Sequence, residues 1–114
     1  MKLRFYILLL MVVLIPSSVS AKVTYNMHVT GNSMYPAIES GDIVKVQTAT
    51  ASEVKEGDIV CYNYDKRDYL CNNVRYVCHR VIEKLEDHVC TKGDNNQFSD
   101  NCVENKYIAL RVIT

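Results

Sequence analysis

The sequence predicts an all-β fold, a small sheet or barrel, and three observations carry that reading. Beyond residue 21 no apolar repeat of helical period persists over a useful length. In its place, short apolar or alternating runs are separated by turns rich in Gly, Asn, Asp and Ser. The tetrapeptide "GDIV" also occurs twice, at 41–44 after "ES" and at 57–60 after "KE", without any repeat of its surroundings. It therefore reads as two similar strand-opening turns and not as a duplicated module.

In chain order, a β-like run leads into "HVTGNSMYPAIESGD" at 28–42. "DIVKVQT" and "DIVCYNY" each follow a GD turn as strands. "YDKRDYLCNN" is polar and turn-rich, an excursion between strands. "NVRYVCHRVIEKL" is the longest strand candidate, and "TKGDNNQFSDN" is a loop by composition. "KYIALRVI" closes the chain with Ile108, Leu110 and Val112 on one face and Tyr107, Ala109 and Arg111 on the other.

Residues 1–21 form a separate unit before the 22–114 domain. "MKLR" is a short basic region, Phe5–Ile15 is an unbroken apolar run of 11, and "PSSVSA" follows. Val19 and Ala21 occupy the −3 and −1 positions of a leader-peptidase site before Lys22. The charge-free span Phe5–Ala21 is 17 residues, roughly 26 Å as a helix against a hydrocarbon core of about 30 Å. Snorkelling of Arg4 and Lys22 and local thinning close such a gap, and Pro16 is tolerated inside a membrane helix. A cleaved leader and a signal anchor both fit. In either case the domain is exported, because Lys2 and Arg4 hold the N-terminus on the cytoplasmic side.

The chain balances 13 basic against 13 acidic residues. Without residues 1–21, which contribute Lys2 and Arg4 and no acid, the domain carries −2. No basic stripe collects phosphates, so no nucleic-acid partner is expected. The five cysteines, Cys61, Cys71, Cys78, Cys90 and Cys102, suit an oxidising compartment. No pair has C-x-x-C spacing, so neither a zinc ribbon nor any other metal or cofactor is expected. Up to two disulfides with one thiol left over is the expectation, with the connectivity open.

The chemistry centres on Ser33, set in a turn before a Met-x-Pro corner. A serine in a turn is ordinary until the chain supplies a base and an acid. In "YVCHRVI", alternation puts Val77, His79 and Val81 on one face and Cys78, Arg80 and Ile82 on the other. A histidine between valines is usually a satisfied core residue. Here an acid-bearing loop follows, holding Asp94 and Asp100. Serine, histidine and aspartate on three segments are the inventory an activated hydroxyl requires: the imidazole takes the proton and a carboxylate fixes its tautomer. A neutral histidine can act as base near pH 7, whereas lysine needs strong desolvation to do so.

"GNSMYPAIESGDIV", "KEGDIVCY", "HRVIEK" and "TKGDNNQFSD" occur in the order seen in type I signal peptidases, and the chain from about Thr30 to Asp100 resembles that family. The closest likeness is to the branch of archaea, the endoplasmic reticulum and some spore-forming bacteria. The resemblance implies Ser33 as nucleophile, His79 as base where the bacterial branch has lysine, Asp100 as the partner of His79, and Asp94 as support. It implies a signal-peptidase-like β domain behind one N-terminal membrane helix, single-pass, with the domain on the extracytoplasmic or lumenal side. It also implies signal-peptide-bearing preproteins as substrates, small residues at −1 and −3, and room for accessory subunits. The Ser33 N–H is one oxyanion donor; many relatives carry a hydroxyl residue where this chain has Gly31, and Asn32 stands where the branch often has glycine. Met34 reads as core or pocket wall, and Pro36 as the corner after Ser33. Two alternative readings stand beside it: a serine–lysine self-cleaving repressor domain of related fold, disfavoured by the exported N-terminus and by His79, and a catalytically dead or non-enzymatic secreted, disulfide-stapled β domain.

Overall fold

Local turn chemistry starts two of the strands. In Glu39–Asp42 and in Lys55–Asp58 the aspartate N–H donates to the carbonyl three residues back, at 3.1 and 3.0 Å. The aspartate carboxylate accepts the N–H of that same residue, at 2.9 and 3.0 Å. Gly41 and Gly57 sit at the third turn position with φ of 95° and 93°, the left-handed backbone that a type II turn demands there. The repeated "GDIV" is thus one device used twice.

The computed structural model describes residues 21–63 and 76–113. Its strands are β1 (Thr24–His28), β2 (Ile43–Thr48), β3 (Ile59–Tyr62), β4 (Val77–Lys84), β5 (His88–Lys92), β6 (Val103–Glu104) and β7 (Ile108–Val112). They form one curled sheet in the order β1-β2-β7-β3-β4-β5-β6, every pairing antiparallel. The last strand enters between β2 and β3 and so ties the two ends of the domain together. Among the described residues the helical content is the single 3-10 turn Asn105–Tyr107, and no helix there is long and apolar enough to cross a membrane. The anchor or leader expected over Phe5–Ala21 lies, but for Ala21, outside the described residues, as does the whole polar excursion with Cys71.

Because β3 is covered on both sides, its residues alternate between two apolar clusters. Val60 and Tyr62 join Ala49, Ala51, Val54, Val81, Val89, Val103 and Ile108. Cys61 joins Met34, Ile38, Val44, Val46 and Leu110. The alternation expected for "KYIALRVI" fails at one step. Ile108 packs in the first cluster while Leu110 packs in the second. The cause is a register shift between Cys61 and Tyr62: Cys61 faces Leu110 and Tyr62 faces Ile108, so one step on β3 spans two on β7. Such a bulge turns the next side chain to the other face. The loop assigned to "TKGDNNQFSDN" is also shorter than composition indicated, since Thr91 and Lys92 end β5.

Two disulfides pair four of the five cysteines, Cys61–Cys78 and Cys90–Cys102. Cys61 and Cys78 are direct cross-strand partners on β3 and β4. The second bridge joins β5 to the segment before β6 and closes the loop that carries Asp94 and Asp100. The double substitution Cys90→Ala/Cys102→Ala should lower stability by about 2–4 kcal/mol, through the freedom returned to the unfolded chain. Chemical denaturation of both proteins measures it, and an unchanged midpoint would contradict a stabilising bridge.

Candidate active site

Three adjacent strands bring three polar side chains to the face that also carries the first apolar cluster. Opposed residues in an antiparallel pair share a face, and Tyr62 is opposite Val77, Val60 opposite His79, and Thr91 opposite Val81. Tyr62, His79 and Thr91 therefore project to the same side of β3, β4 and β5. As expected from alternation, His79 shares its face with Val77 and Val81, with Cys78 and Arg80 on the other side. His79 is 8% exposed, buried yet in contact with two polar groups.

Those groups are Ser33 and Asp100. The Ser33 hydroxyl lies 3.1 Å from His79 Nε2, and Asp100 Oδ2 lies 2.5 Å from His79 Nδ1. The same carboxylate oxygen accepts the Thr91 hydroxyl at 2.8 Å and faces the Tyr62 hydroxyl at 3.4 Å. With Nδ1–H directed to the carboxylate, Nε2 carries the lone pair that faces Ser33. This arrangement can take a proton from the serine hydroxyl and stabilise the imidazolium that results.

Ser33 is held by its backbone. Asn95 N–H donates to the Ser33 carbonyl at 2.8 Å, and the Asn95 side-chain amide donates to the Asn32 carbonyl at 3.1 Å. Gly93 makes this approach feasible, since a Cβ there would stand 2.7 Å from the Ser33 carbonyl oxygen and 2.6 Å from the Asn96 side chain. Met34, 3% exposed, packs in the second cluster, as a core or wall residue should, and its sulfur lies 3.4 Å from the Asp94 N–H. The Tyr35–Pro36 peptide after it is cis. The Gly31 N–H donates to the Ser40 hydroxyl at 3.2 Å, and a side chain at Gly31 would meet open space, although its φ of 92° favours glycine.

Asp94 is brought close to the site but not to the imidazole. Its two oxygens take Arg80 Nε at 2.9 Å and Nη2 at 2.8 Å, a bidentate pair. The Arg80 guanidinium holds the Asp94 carboxyl below its usual range, and Asp94 raises Arg80 in return. Arg80 also donates to the Gly57 carbonyl at 2.8 Å. Asp94 thus ties the loop to the strand residue next to His79, while Asp100 meets His79 itself. Arg80, Asn95, Thr91 and Tyr62 were not singled out from the sequence. The "HR" pair and the "TKGDNN" segment were the available signals for Arg80, Asn95 and Thr91, but side-chain roles depend on register.

A cleft of about 330 Å³ opens beside Ser33 and His79, with Met27, Val29, Met34, Ile38, Val44 and Cys78 among the residues of its apolar lining. A second hollow, of about 520 Å³, lies on the other flank of the His79–Asp100 pair, against Tyr62, His88 and Tyr107. Against this geometry, the model of the Peptidase S24-like family matches residues 10–112. The chain belongs to that family. Membership points to a serine-peptidase type of function and agrees with an all-β curled sheet. Comparisons with curated proteins and with solved structures gave no match.

Proposed function

We propose that the protein is a serine endopeptidase that removes signal peptides from exported proteins at the membrane surface, with Ser33 as nucleophile, His79 as base, Asp100 as its partner, and Asp94 in support. The observation that carries this reading is the unbroken contact chain from Ser33 Oγ through His79 to Asp100 beside an apolar cleft. Ser33 Oγ attacks the scissile carbonyl while its proton passes to Nε2. The protonated imidazole then donates to the leaving amine, and water, deprotonated by the same imidazole, hydrolyses the acyl-enzyme. The Ser33 N–H is the candidate donor to the oxyanion.

The finer assignment rests on the ordered motifs and on residues 1–21, which suit a domain held at the extracytoplasmic or lumenal surface by a single span. The self-cleaving repressor reading, a serine–lysine domain of related fold, would need a lysine at the base position. Among the described residues the ring nitrogen beside Ser33 belongs to His79.

The test is incubation of the full chain in lipid vesicles with a signal-peptide-bearing preprotein, followed by sequencing of the product N-terminus. Cleavage after small residues at −1 and −3, dependent on Ser33, is expected. A preprotein left intact by a chain that does cleave itself would favour the repressor reading. Sequencing the mature enzyme in the same preparation decides the leader: recovery of a soluble chain beginning at Lys22 would exclude the anchor.

A further inference from the structure

We propose that Thr91 is a positioning residue of the Ser33–His79–Asp100 relay, its hydroxyl holding the Asp100 carboxylate against the imidazole; this rests on reading that relay as catalytic. Asp100 arrives on a loop, whereas His79 is fixed on a strand. Something rigid must therefore place the carboxylate. Thr91 grips Asp100 at two points: its carbonyl accepts the Asp100 N–H at 2.9 Å, and its hydroxyl donates to Asp100 Oδ2 at 2.8 Å.

Thr91 is itself fully buried within a strand. It lies in β5 opposite Val81, two residues before Gly93, where a Cβ would clash with the Ser33 carbonyl. A threonine hydroxyl carries one proton, and an ionised carboxylate can only accept. The 2.8 Å contact therefore commits that proton to Asp100. The Tyr62 hydroxyl, 3.3 Å from Thr91 Oγ1 and 3.4 Å from Asp100 Oδ2, can donate to either oxygen. Both hydroxyls gather on Oδ2, the oxygen that also faces Nδ1. The carboxylate is thus prevented from rotating away from His79 by a donor on a neighbouring strand.

A buried threonine in a sheet can also be mere packing, so the test separates hydroxyl from shape. Thr91→Val keeps the shape and deletes the donor; Thr91→Ser keeps the donor and deletes the methyl. The full chain is treated with a serine-directed phosphonylating probe, preprotein turnover is measured, and the His79 Nδ1 proton is followed by NMR. Thr91→Val should lose on the order of ten- to a hundredfold in labelling rate and kcat, the worth of one hydrogen bond to a charged group, with KM little changed. Its Nδ1 proton resonance should move, and Thr91→Ser should restore most of both. Thr91→Val labelled at the wild-type rate with an unmoved resonance would overturn the proposal. Should the valine variant not fold, Thr91→Ala against Thr91→Ser poses the same question, and equal rates for that pair overturn it. Wild-type protein that takes no label at Ser33 would bring down the catalytic reading, a result distinct from any difference among Thr91 variants.

Discussion

Ser33→Ala is expected to abolish cleavage, by on the order of 10⁶-fold, while leaving the domain folded. Losses of that size are what removing the nucleophile of a hydroxyl–imidazole relay produces. Folding should survive because the Ser33 turn is held by groups the substitution does not touch. The Ser33 carbonyl keeps its Asn95 partner, the Asn32 carbonyl accepts from Tyr35 and Asn95, and Ile38 N–H donates to the Met34 carbonyl. The lost hydroxyl contact to His79 is worth about 1 kcal/mol. His79→Ala should be comparably damaging, since the two groups act as a unit. Probe labelling and preprotein turnover, with a denaturation curve for each variant, provide the check. Turnover surviving at the wild-type level in Ser33→Ala would remove this serine from the mechanism.

Asp100→Asn should lower turnover by on the order of 10⁴-fold with substrate binding nearly intact. An amide at that position no longer supplies the charge that stabilises the imidazolium. It can also turn its NH₂ toward Nδ1, selecting the tautomer that places a proton on Nε2, where Ser33 needs an acceptor. Asp94→Asn has a different consequence. It weakens the bidentate pair with Arg80, but Arg80 retains the Gly57 carbonyl and the Asn95–Ser33 backbone bond is untouched. A stability loss of up to about 1 kcal/mol and a modest change in turnover are expected, because the pair is partly exposed. Steady-state kinetics of the two variants side by side measure the contrast. A larger turnover defect for Asp94→Asn would reverse the assignment of the aspartates.

Much of the candidate site is legible in the sequence alone. Ser33, His79, Asp94 and Asp100 lie in short motifs whose residue types state their chemistry, and that information is local. Most strands were legible for the same reason: alternation in "DIVKVQT" and "YVCHRVI" records which side of a sheet is covered, and Gly41 and Gly57 mark where the chain must turn. The sequence by itself also determined the relative faces of Val77, His79 and Val81, because period 2 holds wherever a strand is unbroken.

Tertiary structure alone decided what depends on register between distant segments. Which cysteines pair follows from β3 lying opposite β4 and from the return of the chain past β5. The change of face between Ile108 and Leu110 comes from a bulge against β3, which leaves no mark within "KYIALRVI". Asp100 meets His79 and Asp94 meets Arg80 because the loop folds back across β4, and two aspartates six positions apart do not by themselves say which will do so. Thr91 and Tyr62 join the site for the same reason. The bonds among strands are made by backbone groups common to every residue, so a side chain's cross-strand neighbour is set by the packing of the whole sheet.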